Sequence, residues 1–96
     1  MIALPSTSVE YLRTTVEASG DPTGTAPAFA FTVTADDPEA GDWHDGEWVG
    51  GTTYDARILV GPGTDVVLTE GRYLAWIKVT DNPEVIVMRC GEVTVT

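Results

Sequence analysis

From Tyr73 to Val79 the side chains alternate in a way that only an extended strand can use. Tyr73, Ala75, Ile77 and Val79 fall on one face and Arg72, Leu74, Trp76, Lys78 and Thr80 on the other, which is the period of two that strands require. A helix through the same residues would spread its apolar groups around the whole circumference. Asp81-Asn82-Pro83-Glu84 then stops the pairing, because Pro83 has no N–H, holds its own φ near about −65° and turns Asn82 away from helical angles. Val85 to Cys90 resumes as an almost continuous apolar run ended by Gly91, the pattern of a strand covered on both faces. Glu92 to Thr96 alternates again with Val93 and Val95 inward, as an edge strand would.

The same period recurs upstream. Ser8 to Ala18 places Leu12, Thr14, Val16 and Ala18 on one side, and its β-branched content favours a strand. The glycines and prolines of Ser19 to Pro27 demand a loop. In Ala28 to Ala35, Phe29, Phe31, Val33 and Ala35 share a face, and the two phenylalanines are expected to anchor the core. Gly50-Gly51 makes a turn, and Thr53 to Val60 turns Tyr54, Ala56, Ile58 and Val60 inward with Asp55 and Arg57 outward. Gly61-Pro62-Gly63 ends that run, and Val66-Val67-Leu68 is expected to form a short strand before the turn at Glu70-Gly71. Strands are therefore predicted near 9–19, 28–35, 46–49, 53–60, 65–69, 72–80 and 85–96, with a break at Gly91. Seven short strands with glycine- and proline-rich turns predict an all-β fold, an antiparallel Ig-like β-sandwich, with a jelly roll or small barrel as the alternative. The predicted core is Phe29, Phe31, Tyr54, Ile58, Tyr73, Ile77 and Val79.

At 96 residues the chain fits one domain. Residues 8–96 are expected to form it, preceded by an N-terminal arm, residues 1–7, whose Ile2 and Leu4 have no place in the alternating pattern. Pro5 would keep that arm extended, available to a neighbour's sheet edge or groove, with a disordered start as the alternative. Cys90 stands alone, so there is no internal disulfide, and its apolar surroundings suggest a small buried hydrophobe. Fifteen acidic against five basic side chains give a net charge of −10, which repels nucleic acid and anionic membrane. The first residues carry no basic region and no apolar stretch of signal-peptide length, so synthesis in the cytoplasm is expected. One lysine, one asparagine and no glutamine, beside abundant Ala, Val, Gly, Asp and Thr, is the usage of a GC-rich genome.

Little in the chain suggests catalysis. Asp36, Asp37, Glu39, Asp42, Asp45 and Glu47 lie in one acidic loop, but their spacing does not match the twelve-residue calcium loop with its central glycine and terminal glutamate. A solvated loop without metal is expected, and His44 has no cysteine or second histidine to share an ion with. Gly61-Pro62-Gly63 lacks the Gly-Lys-Ser/Thr of a phosphate loop, and Asp65 would repel a phosphate. Asp42 and Glu47 could be drawn as an acid and a base, yet an exposed loop lacks the burial that raises one pKa. No catalytic residue, cofactor or metal site is assigned. Trp43 and Trp48 bracket the acidic loop, where they would lid one end of the core, anchor an interface, or with Trp76 stack on sugar rings while Asp42, Asp45 or Glu47 bind the hydroxyls.

Asp42-Trp43, Trp48, the run Ala56 to Gly63, Leu68, the run Gly71 to Glu84 and a late Gly91 together resemble small β-sandwich proteins encoded among the virion structural genes of phages and prophages of actinobacteria. The likeness covers roughly residues 9 to 96. It implies a structural component of a tailed-phage virion, foremost a capsid decoration protein or minor head protein. A head-to-tail connector or tail-associated Ig-like protein is the alternative within that class, and a carbohydrate-binding module is the alternative outside it. The partners implied are the major capsid protein, other virion proteins or further copies of the chain. The candidate interface residues are Ile2, Leu4, Trp43 and Trp48.

Overall fold

The computed structural model describes residues 2–17, 21–49, 54–81 and 84–96, and these form an all-β fold. In chain order the strands are β1 (Ile2–Leu4), β2 (Glu10–Val16), β3 (Ala28–Thr32), β4 (His44–Asp45), β5 (Glu47–Val49), β6 (Tyr54–Val60), β7 (Gly71–Asp81) and β8 (Glu84–Val95). Single 3-10 turns lie at Pro22–Gly24 and Ala40–Asp42. One sheet has the order β1-β8-β7-β3-β4 and the other β2-β6-β5. The expectations placed on Ala18, Gly50-Gly51 and Asn82-Pro83 lie outside the described residues.

One core joins the two sheets. From the larger sheet come Leu4, Phe29, Ala75, Ile77, Val79, Val93 and Val95; from the smaller, Leu12, Val16, Ala56, Ile58 and Val60; Val66 completes it from a connection. Each set sits at alternate positions of its strand, so burying one face dictates the register. Phe29, Ile58, Ile77 and Val79 are buried as expected, while Phe31, Tyr54 and Tyr73 pack against the core's rim.

Several expectations are corrected. The segment read as an arm begins with a strand: β1 pairs parallel with β8, setting Ile2 against Val93 and Leu4 against Val95, so the larger sheet is mixed rather than antiparallel. Ser6 N–H donates to Thr96 O at 2.7 Å and Thr96 N–H to Leu4 O at 2.8 Å, which ties both ends of the chain together. Leu4 is only 5% exposed, because the inner faces of the two sheets leave room for one more apolar side chain beside Val93 and Val95.

The third strand stops at Thr32. Its hydroxyl donates to Thr34 O at 2.8 Å, a local bond that turns the chain away and leaves Val33 76% exposed. Residues 65–69 form no strand. Gly61 N–H donates to Val66 O at 2.9 Å and Val66 N–H to Thr64 Oγ at 3.2 Å, closing a compact loop that buries Val66 without a sheet partner. Gly61 has φ +140°, and a Cβ there would strike the backbone of Ser8 and Val9, so this turn requires glycine.

Residues 84–95 make one strand, with no break at Gly91. Its register against β7 shifts between Ala75, opposite Gly91, and Trp76, opposite Arg89, so Cys90 is the extra residue of a bulge. The run Val85–Met88 is not covered on both faces, since Val85, Val87 and Met88 are all exposed.

Candidate functional site

The four candidate interface residues do not form one patch. Ile2 lies in β1 opposite Val93, and Leu4 is in the core. Trp48 is in the smaller sheet, opposite the fully buried Ala56, where it packs against the core edge-on to Tyr54. Its indole N–H donates to Thr25 O at 2.9 Å, so it closes one end of the core rather than presenting a free ring. Trp43 belongs to the other sheet. It precedes β4 in extended conformation, and since His44 faces Phe29, Trp43 extends across the outer face beside Ala30.

That outer face carries a connected set of rings and cations. Ala30, Trp76 and Arg89 stand in one cross-strand row, and Ala28, Lys78 and Val87 in the next. Ala30 is fully buried. Trp76 is 5% exposed although it points away from the core, because neighbours cover it. Its indole N–H donates to Thr32 Oγ1 at 2.9 Å, and the Arg89 guanidinium sits 5.1 Å from its ring centroid while donating to Ala35 O at 3.2 Å. Lys78 Nζ lies 4.7 Å from the Trp43 centroid. The Arg89–Ala35 bond holds the start of the acidic loop against the sheet, and the Lys78–Trp43 contact holds its later part.

Alternation places Arg72 on this face too, so three of the chain's five basic side chains lie there. The other two, Arg13 and Arg57, face outward from the smaller sheet as a directly opposed pair. Arg57 turns from Arg13 to Glu47, 2.6 Å away, and to the Tyr11 ring, 4.1 Å from the centroid. The cations thus occupy the sheet faces, whereas the carboxylates are divided between strands and loops, with a group of four in the connection from β3 to β4. Asp36, Asp37, Glu39 and Asp42 are all exposed, and Glu39 N–H donates to Asp42 Oδ2 at 2.8 Å around the second 3-10 turn. Among the described residues no cluster of His, Cys, Asp and Glu has the geometry of a metal site.

Among the described residues two groups titrate away from their ordinary values. The Thr23 hydroxyl and then the Thr23 N–H hold the Asp21 carboxyl below 3.8. Burial pushes the Cys90 thiol up, which favours its neutral form. Cys90 is half-buried at the core's rim rather than fully enclosed. The sequence reading missed the pairing of Trp76 with Arg89, although it was available: a two-residue connection between Asp81 and Glu84 sets Trp76 opposite Arg89 by counting back five positions on each strand.

A sugar platform of three tryptophans is not assembled, because Trp48 stands in the opposite sheet from Trp43 and Trp76 and the latter two rings already hold the chain's own cations. In comparisons with known proteins, no family model matches the chain, and no curated protein or solved structure is significantly similar to it.

Proposed function

We propose that the chain is an Ig-like β-sandwich that serves as a structural component of a tailed-phage particle, as a capsid decoration protein or minor head protein. The observation that carries this reading is the strand order. With β2 to β8 taken as the chain-ordered strands of an Ig-type sandwich, β8-β7-β3 against β2-β6-β5 follows the G-F-C against B-E-D arrangement, β4 extends it as C′ does, and β1 adds a parallel strand beyond β8. This arrangement is the fold expected of the virion proteins that residues 9–96 resemble.

The charge fits the same role. A net charge of −10 keeps a protein displayed at high density soluble and off packaged DNA. The test is to mix the purified protein with DNA-filled phage heads that lack it and to sediment the mixture. Saturable co-sedimentation with heads is the expected result. Binding to isolated tails alone would make it a tail protein, and binding to neither, with retention on host cell-wall glycans, would replace the structural reading with the carbohydrate-binding one.

A further inference from the structure

β8 runs from Glu84 to Val95, but only its last part carries a strand on the outer side, where Ile2, Ala3 and Leu4 meet Val93, Thr94 and Val95. Among the described residues nothing pairs with the outer edge from Glu84 to Glu92. The bulge at Cys90 and the charges of Arg89 and Glu92 guard its far end, but the stretch from Val85 to Met88 lacks the usual protections. Val85, Ile86, Val87 and Met88 follow one another without lysine or proline, and Val85, Val87 and Met88 are 60%, 45% and 38% exposed.

Beside the same edge the inner face is hollow. The cross-strand row there is Phe31, Ala75 and Gly91, so two of its three positions carry little or no side chain. A Cβ built on Gly91 would meet nothing within 4 Å. The result is a cleft of about 130 Å³ walled by Leu12, Phe29, Phe31 and Ala75, with Arg13 and Glu92 at its rim. It opens between β8 and β2, the edge strand of the other sheet. An apolar cavity of about 150 Å³ holds a benzene molecule, so this smaller cleft is sized for a single aliphatic side chain such as leucine.

We infer that this side of the protein is a strand-acceptor site for an extended segment of another protein. The segment pairs with the β8 edge over Glu84–Glu92 and seats one large apolar side chain in the cleft beside Gly91. Main-chain hydrogen bonds to the edge supply affinity and the cleft supplies selectivity, as in other strand additions. Charge selects the partner: Glu84 and Glu92 border the edge, the Arg89 guanidinium between them is turned onto the Trp76 ring and Ala35 O, and the whole chain carries −10, so the segment is basic between its apolar positions. A second copy of this acidic chain would bring the same charge to the same edge. The site goes beyond the particle reading and stands whether or not the partner is a shell protein.

The test uses the full chain and a blocked synthetic peptide, KVTVKLTVK. Backbone amide shifts on titration are expected to be confined to Glu84–Glu92 and the facing residues of β2. Replacing the peptide's leucine by alanine is expected to weaken binding about tenfold or more, as is replacing its lysines by glutamates. Ala75→Leu, which fills the cleft from its floor, is expected to abolish the leucine preference; should that variant not fold, the two altered peptides decide the matter. Absence of shifts at millimolar peptide, shifts centred on residues 36–42, or equal affinity for all three peptides would overturn the proposal. Dimerisation of the peptide-free protein through β8, seen by sedimentation equilibrium and amide exchange, would also overturn it by giving the edge to a second copy.

Discussion

Replacing Leu4 with alanine separates a disposable N-terminal arm from a structural strand. The side chain is 5% exposed and belongs to the core cluster with Val93 and Val95. Core Leu→Ala changes cost about 2–5 kcal/mol, and the cost falls where the surroundings can collapse into the space. β1 has only three residues and borders no other strand on its far side, so relaxation there is easy and the lower part of the range applies, about 2–3 kcal/mol. For a domain near one hundred residues each kcal/mol moves the melting temperature by about 4–8 °C, giving an expected fall of about 10–20 °C. Urea and thermal melts followed by tryptophan fluorescence will read this, since Trp48 packs against the same core. Removing residues 2–7 should cost at least as much, because it also deletes the bonds from Ser6 to Thr96 and from Thr96 to Leu4. A loss below about 0.5 kcal/mol for Leu4→Ala, the size of an ordinary surface change, would refute the placement of β1.

The two phenylalanines should respond unequally: Phe29→Ala, at a fully enclosed side chain, is expected to cost about 3–5 kcal/mol and Phe31→Ala clearly less, and equal losses in denaturant melts would contradict the assigned register of β3. Thr32→Val keeps the shape but removes the acceptor of the buried Trp76 N–H, so a loss of about 1–3 kcal/mol is expected, and no change would mean that the indole finds another partner. Asp21 has a folded-state pKa below its ordinary 3.8, so the stability it contributes is present above that value and is lost as pH falls through the folded one; the stability gap between Asp21→Ala and the parent should therefore close below about pH 4, and a gap unchanged down to pH 2 would contradict the Thr23 cap.

Much of the fold was legible because strands long enough to repeat announce themselves. Leu12 and Val16, Ala56 and Ile58, Ile77 and Val79, and Val93 and Val95 fall inward as alternation required. What was missed lay where local bonds or length hid the pattern. Three residues of β1 are too few to show a period, and their burial depends on Val93 and Val95, some ninety positions away. Thr32 and Thr64 redirect the chain through side-chain bonds, which ended one strand early and removed another. The apolar run Val85–Met88 looked like buried sheet because composition cannot distinguish a covered strand from an edge left open. The interface candidates failed to converge for a topological reason: Trp43 and Trp48 are only five positions apart in sequence, but β4 and β5 belong to different sheets.

The most direct test of the proposed role is the protein's copy number in purified virions, measured by mass spectrometry against the major capsid protein with isotope-labelled peptides. Decoration of the shell requires a copy number that scales with the capsid lattice, and that ratio, unchanged after tails are sheared from heads, is the expected result. A ratio matching a single ring at the head–tail junction would assign the protein to the connector, and its absence from particles that otherwise contain every structural protein would contradict the virion role itself.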